Sequence, residues 1–192
     1  MNLSGKTIGY GLTGSFCTFQ KALGQLRLLK ETGAEIIPIM SETACGTDTR
    51  FGSAAEFTQT IQDITGNQII HTIKGAEPFG PKALLDLLII APCTGNTLAK
   101  TALGITDSAI TMAYKAHLRN GRPVLIGVST NDGLGNAAKN IGALLNSKHI
   151  YFIPFRQDDC INKPLSLVAD FDLLIPAAEA ALEEKQLQPI LL

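Results

Sequence analysis

Short apolar runs alternate along the chain with longer segments in which apolar residues recur at helical spacing. This alternation is typical of a mainly parallel sheet that is covered by helices on both faces. The sequence therefore predicts an α/β fold, a three-layer, doubly wound arrangement with a sheet of about six strands. The strand candidates are residues 7–12, 35–40, 68–73, 85–91, 123–128 and 150–153.

The segments between these runs predict the helices. They cover residues 16–32, residues 106–120, residues 136–145 and a last helix that begins at Pro176. The first two end at Gly33 and Gly121, and glycine is common just past a helix end. No repeat, low-complexity stretch or linker divides the sequence, so residues 1–192 are expected to form a single domain.

Composition and charge narrow the classes of partner. A hydrophobic content of 45% with only 17% charged residues suits a sheet that is buried on both faces. The net charge of -1 provides no basic surface for a nucleic acid. We also expect no membrane partner and a cytoplasmic location, since no apolar run reaches about 18 residues and the N-terminus lacks a secretory signal. The four cysteines lack the paired spacing of a metal site.

Ligands of doubly wound sheets bind beyond the carboxyl ends of the strands, where this chain places small polar residues. After the first strand, Gly14 lets the backbone approach a ligand, while Thr13 and Ser15 offer hydroxyl groups beside a helix N-terminus. Ser41 follows the second strand. The sequence predicts a phosphate or similar anion near Gly14, Ser15 and Ser41.

The same glycines leave two other interpretations open. Gly9, Gly11 and Gly14 match the Gly-x-Gly-x-x-Gly pattern of dinucleotide sites, which requires an acidic residue at the end of the second strand. Glu42 would serve, although Ser41 precedes it and suits a phosphate better than a sugar diol. A tight turn that binds no ligand is the remaining interpretation.

A third polar segment follows the fourth predicted strand. Pro92 is expected to end that strand, and Asn96 and Thr97 are expected to cap the next helix and to point into the same crevice as Ser15 and Ser41. Capping alone would explain these residues without a ligand. Their position at the carboxyl end of a strand favours a binding role.

Residues 92–100, PCTGNTLAK, resemble the Pro-Ala-Ser-Ala-Asn-Thr motif, followed by Ala-Lys, of the flavin-containing cysteine decarboxylase family. The matches are Pro92, Asn96, Thr97, Ala99 and Lys100. The resemblance implies a flavoprotein fold of the Rossmann-like or flavodoxin-like type. It also implies an FMN cofactor that is held by this motif, with Thr94 and Gly95 inside it, together with Gly14, Ser15 and Ser41.

Two departures from the decarboxylase pattern stand out. A family histidine about 14 residues before the motif proline is replaced by Pro78, and the neighbouring Glu77 is a candidate catalytic carboxylate or else a solvated loop acid. The family's later asparagine segment keeps only Asn131, which is the second candidate catalytic residue. We expect no catalytic role for the three histidines.

Four longer segments resemble one branch of the family, the B subunits of a two-subunit sporulation enzyme. They are SETACGTDTRFG, AEPFGPK, STNDGLGNAAKNIGALL and YFIPFRQDDC. The resemblance implies an oxidoreductase component that acts on a small dicarboxylate beside an A subunit that binds NAD(P). It also implies a homo-oligomer. A non-catalytic partner with a vestigial flavin site and an FMN-dependent decarboxylase that acts alone are the alternatives.

Two arginines are candidates for binding a carboxylate group, since a guanidinium forms two parallel hydrogen bonds with it. They are Arg50 and Arg156. For both, an ordinary surface position is the alternative, and Arg156 is close enough in sequence to pair with Asp158 or Asp159.

Overall fold

A seven-stranded sheet forms the centre of the computed structural model, which describes residues 2–192. Five strands run parallel in the order β2-β1-β3-β4-β5, which is the flavodoxin-like order. The short strands β6 and β7 add an antiparallel pair beside the carboxyl end of β4. The strands are β1 Thr7–Leu12, β2 Glu35–Met40, β3 Leu87–Cys93, β4 Val124–Thr130, β5 Ile150–Phe152, β6 Phe155–Arg156 and β7 Leu167–Ala169.

Helices cover both faces of this sheet and create two apolar cores. The α-helices are α1 Phe19–Glu31, α2 Glu42–Gly46, α3 Ala54–Thr65, α4 Ile73–Ala76, α5 Gly95–Leu103, α6 Ala109–Leu118, α7 Ala138–Leu145 and α8 Leu174–Leu182. Three 3₁₀ turns, Phe16–Thr18, Glu77–Phe79 and Phe171–Leu173, precede α1, follow α4 and precede α8. Within residues 2–192, no helix is long and apolar enough to span a membrane.

Strand β3 shows how the two cores are separated. Its side chains alternate between faces, so Leu87 and Ile89 join the core of α1, α3 and α8, while Leu88 and Ile90 join the core of α5, α6 and α7. All four are fully buried. The three-layer, doubly wound α/β fold predicted from the sequence is confirmed.

The strand predicted at residues 68–73 is wrong. Only Ile70 bonds to the sheet edge, where its amide donates to the Pro38 carbonyl and its own carbonyl accepts from the Met40 amide, both at 2.9 Å. Two residues later, Thr72 caps α4 by accepting a hydrogen bond from the Gly75 amide. The cap therefore turns the chain away from the sheet after one bridge. Strands β6 and β7 were missed because runs of two and three residues carry no detectable alternation.

The imidazole of His117 is completely buried at the end of α6. Its Nε2 lies 2.9 Å from the Pro123 carbonyl, and its Nδ1 has no hydrogen-bond partner among the described residues. Burial lowers the pKa of His117 to about 4, because the surroundings penalise the charged form. The folded protein therefore holds this imidazole neutral.

We expect acid to destabilise the fold through His117. Between pH 6.5 and about 4 the unfolded chain binds a proton that the folded chain excludes, so the free energy of unfolding decreases as the pH falls. The expected loss from this group between pH 7 and pH 5 is about 2 kcal/mol. Urea unfolding across this range should show a flatter pH profile of the free energy of unfolding for His117→Gln than for the wild type. Equal slopes for wild type and His117→Gln would contradict the assignment.

Close packing in the middle of the sheet requires a glycine at position 127. An added Cβ there would lie 2.8 Å from the Cβ of Ala91 and 3.1 Å from Cδ1 of Ile153, whereas Gly24 of α1 has open space around it. We expect Gly127→Ala to lower the free energy of unfolding by about 1–3 kcal/mol. Gly24→Ala should raise it by about 0.5–1 kcal/mol through helix propensity. Urea denaturation of both variants measures the difference, and equal effects would refute the packing argument.

Candidate functional site

A crevice of about 1280 Å³ lies at the edge of the sheet where β1, β3 and β4 end. Its walls come from the residues after these three strands, from the start of α7 and from the segment 163–168 that leads into β7. Parallel strands deliver their carboxyl ends to one edge, so segments far apart in sequence converge here. The crevice is larger than the roughly 300–1,000 Å³ of typical small-molecule pockets.

Hydroxyl groups occupy the part of the crevice next to β1. Ser15 follows Gly14 in a tight turn in which the Ser15 amide donates to the Thr13 carbonyl at 2.7 Å. The Ser15 Oγ lies 2.7 Å from the Ser129 Oγ at the end of β4, and the Thr18 Oγ1 lies 3.3 Å from the same atom. Gly14 and Ser15 therefore line the crevice as predicted, joined to β4 by a hydroxyl cluster.

Thr13 is buried behind this surface and connects two loops. Its hydroxyl donates to the Pro92 carbonyl at 2.8 Å and accepts from the Thr94 amide at 3.0 Å. Pro92 is also buried, and neither residue lines the crevice. The structure thus places Thr13 and Pro92 under the site, where they hold the ends of β1 and β3 together. Pro92 does not end β3, which continues to Cys93.

The start of α5 lies at the centre of the crevice. Thr94 is the N-cap and accepts a hydrogen bond from the Thr97 amide, so the prediction that Asn96 and Thr97 are the caps is wrong. Thr97 is buried and its hydroxyl lies 3.2 Å from that of Thr94, while Asn96 is exposed. Thr94, Gly95 and Asn96 line the crevice.

Gly95 lets α5 approach the end of β4. A Cβ at this position would lie 2.7 Å from the Thr130 Oγ1 and 3.3 Å from an Asp132 carboxylate oxygen. Asp132 in turn accepts a hydrogen bond from the Thr130 hydroxyl at 3.1 Å. Asn131, the predicted catalytic asparagine, is exposed and lines the same crevice. The structure thus brings Asn131 to the predicted site.

Ser41 lies next to the crevice without being part of its lining. Its amide donates to the Leu12 carbonyl, and its hydroxyl caps α2 by accepting from the Ala44 amide at 3.2 Å. The Glu42 carboxylate accepts from the Ala109 amide at the start of α6. This hydrogen bond links α2 to α6 and engages the carboxylate that a dinucleotide ribose would require. The structure therefore disfavours the dinucleotide interpretation.

Glu77 lies away from the crevice, so the structure does not bring this candidate catalytic carboxylate to the site. The turn Glu77–Phe79 packs against the end of α6, where the Asn120 amide group donates to the carbonyl oxygens of Phe79 and Gly80. That end of α6 lies beside Pro123, just before β4 begins. Glu77 is therefore an exposed residue at the opposite edge of the sheet.

The two candidate arginines have different surroundings. Arg50 lines the crevice, with its guanidinium carbon 4.9 Å from the centre of the Phe51 ring. Arg156 pairs with Asp170 rather than with Asp158 or Asp159.

Cys93 is buried, and burial raises the pKa of its thiol, which excludes it as a ready nucleophile.

Sequence reasoning missed one wall of the crevice. Asn136 lines it from the turn before α7, and Lys139 and Asn140 line it from the first turn of that helix. Their spacing of three and four residues places such side chains on one face of a helix, which is the signal that would have identified them. Lys163 also lines the crevice and pairs with Asp158 at 3.4 Å.

Comparison with known proteins places this architecture in a family. The Flavoprotein family model matches residues 1–161, and the chain belongs to the flavoprotein family. More particularly, the sequence is 50% identical over 190 residues to the B subunit of dipicolinate synthase from Bacillus subtilis (strain 168). The match covers 99% of this chain and 95% of that protein.

Two solved structures extend the comparison. The B subunit of dipicolinate synthase from Bacillus halodurans matches with a TM-score of 0.92 and 48% identity, covering 100% of this chain and 98% of its own. The FMN-dependent cysteine decarboxylase SpaF matches with a TM-score of 0.68 and 22% identity, covering 95% and 98%. The second similarity concerns the fold.

The buried Thr13 hydroxyl provides a test of how the site is held together. Thr13→Val removes both of its hydrogen bonds and leaves the Thr94 amide without this partner, so we expect a loss of about 1–3 kcal/mol in the free energy of unfolding. Thr13→Ser keeps the hydroxyl and should lose less. Urea unfolding compares the two variants, and an equal loss would show that the missing methyl contacts, rather than the hydrogen bonds, decide the effect.

Proposed function

We propose that this chain acts with the A subunit of dipicolinate synthase to oxidise a dihydrodipicolinate-type precursor to dipicolinate, pyridine-2,6-dicarboxylate. Similarity over nearly the whole length to the B subunit of that enzyme supports this proposal. The observation that carries it is the crevice in which Ser15, Asn96 and Asn131 meet at the carboxyl edge of the sheet. This is the edge at which doubly wound folds bind ligands.

The reaction converts a dihydropyridine ring to an aromatic one, so the substrate loses a hydride and a proton. The hydride passes to NAD(P)⁺ on the A subunit, and the proton passes to a base or to water. The crevice of this chain would bind and orient the precursor and its cofactor through hydroxyl, amide and cationic groups. FMN, when bound, would supply a second group able to carry two electrons.

The residues present fit a flavin phosphate best at the Gly14–Ser15 end. An Asp132 carboxylate oxygen lies near the first turn of α5, and its negative charge disfavours a phosphate there. Ser15 instead offers a hydroxyl beside a tight glycine turn, and Arg50 offers a cation in the same crevice. Packing holds the segment next to Arg50 close to this turn. Gly52 packs on the Phe57 ring, and the centre of that ring lies 5.0 Å from the centre of the Phe19 ring at the start of α1.

A non-catalytic partner with a vestigial flavin site is the second candidate. The hydroxyl groups of Thr13, Ser41 and Thr97 were expected to bind the cofactor. Each forms a hydrogen bond with another group of the protein instead, which favours this candidate. In that case the chain would support its partner, the A subunit, through assembly. The expected homo-oligomer and the cytoplasmic location stay predictions under either candidate.

Synthase activity should require both subunits, and the pair should lose rate when the crevice is altered. We expect dipicolinate to form from dihydrodipicolinate and NAD(P)⁺ with the reconstituted pair but not with this chain alone. Asn96→Ala should weaken FMN binding about three- to tenfold, since it removes an exposed amide from the crevice. Flavin fluorescence titration and ultraviolet detection of dipicolinate are the measurements. The control Asn146→Ala removes an exposed amide beyond α7.

The outcomes separate the candidates. If the wild-type chain binds no FMN but the A subunit still needs it, the vestigial partner is the correct description. If the A subunit is fully active without this chain, the proposed function is wrong. Carbon dioxide release from a peptidyl cysteine by the FMN-loaded chain alone would identify a decarboxylase instead.

A further inference from the structure

One end of the crevice, here called the α5–α7 end, combines an apolar side with a polar side. Ala99 and Leu103 contribute from α5, Asn136 contributes from the turn before α7, and Lys139 and Asn140 contribute from its first turn. Leu103 is 72% exposed, so its side chain is accessible to a ligand at this end. A ligand that matches this end therefore has an apolar surface and polar groups at its edge.

The charges of the crevice leave Lys139 available to a ligand. Of the two carboxylates in its lining, Asp158 pairs with Lys163 at 3.4 Å and Asp132 accepts a hydrogen bond from the Thr130 hydroxyl. Lys139 forms no ion pair within residues 2–192. An ammonium group without a carboxylate partner, inside a concave surface, favours an anionic ligand.

Neutral donors stand beside this ammonium group. The side-chain amides of Asn136 and Asn140 have no hydrogen-bond partner in the part of the chain that the structure describes, and both line the crevice. Each amide offers two N–H donors, and an ammonium offers three. A carboxylate accepts several such bonds at once, and bonds to an ionised acceptor are stronger than neutral ones.

The crevice is large for a site that binds one small molecule. Its volume of about 1280 Å³ exceeds the roughly 300–1,000 Å³ typical of a small-molecule site. The Gly14–Ser15 turn and Arg50 suit a phosphate, while the α5–α7 end offers an ammonium and amides beside apolar carbon. These two sets of groups match two different molecules.

We propose that the α5–α7 end binds a flat ring dicarboxylate, with Lys139 as the residue that binds one carboxylate group. Asn136 and Asn140 donate to the same carboxylate, and Ala99 and Leu103 contact the face of the ring. Lys163 lies in the same crevice and keeps N–H donors for the other carboxylate, while it shares its charge with Asp158 at 3.4 Å. This inference rests on the proposed function, because it assigns the substrate of that function to particular residues.

Calorimetric titration with pyridine-2,6-dicarboxylate in metal-free buffer tests the assignment on the full chain. Lys139→Gln should weaken binding about fivefold, and Lys139→Arg should restore most of the affinity. The control Lys148→Gln removes an exposed lysine beyond the other end of α7 and should bind as the wild type does. Pyridine-2-carboxylate should bind more weakly, and affinity should fall as salt is raised.

Equal affinity of Lys139→Gln and Lys148→Gln, or no measurable binding to the wild type, would overturn the inference. An FMN titration of the same samples distinguishes this failure from failure of the proposed function. If Lys139→Gln retains FMN binding and the synthase pair remains active with an unchanged KM, the substrate binds elsewhere and the proposed function stands. If the wild-type chain binds no FMN and the reconstituted pair forms no dipicolinate, both this inference and the proposed function are rejected.

Discussion

The hydroxyl of Thr13 joins the ends of β1 and β3, and the geometry of the crevice depends on that connection. It donates to the Pro92 carbonyl and accepts from the Thr94 amide, so a single buried group satisfies one acceptor and one donor of the next loop. The Thr94 amide precedes α5, and its position sets where that helix begins. A buried amide without a partner costs more than an ordinary hydrogen bond contributes, so the two loops are strongly coupled.

A second set of hydroxyls attaches the end of β4 to these two loops. Ser129 lies within hydrogen-bond distance of Ser15 and Thr18, and Gly95 leaves room for Thr130 against α5. Three loops that lie far apart in sequence therefore act as one rigid surface. The rest of the polar lining lies outside this surface, on α7 and in the segment before β7, and it includes exposed lysine and asparagine side chains.

The sequence predicted the parts of this structure that burial alone determines. Strands β1 and β2 have the predicted bounds, because each is a continuous apolar run between polar turns. The segment 68–73 has an equally apolar start, but Thr72 caps a helix, and a local cap overrides strand propensity. In the site, the positions of Ser15, Gly95, Asn96 and Asn131 followed from topology. The partners of Thr13 and Ser41 did not, because a hydroxyl that caps and a hydroxyl that binds a ligand have the same local sequence.

Use of a hydroxyl inside the protein does not by itself remove it from ligand binding. A serine or threonine hydroxyl has one hydrogen to donate and two lone pairs that accept. Ser41 only accepts, from the Ala44 amide, so its hydrogen remains available to an anion that reaches it. The Thr18 hydroxyl donates to the Ser15 carbonyl, so its contact with Ser129 uses the Ser129 hydrogen, and the Ser15 hydroxyl then donates to Ser129. Thr13 differs, because its hydrogen already bonds to the Pro92 carbonyl and the group is buried. The hydrogen-bond inventory therefore leaves an uncommitted donor at Ser41, whereas the Ser15 hydroxyl must turn away from Ser129 to donate to an anion.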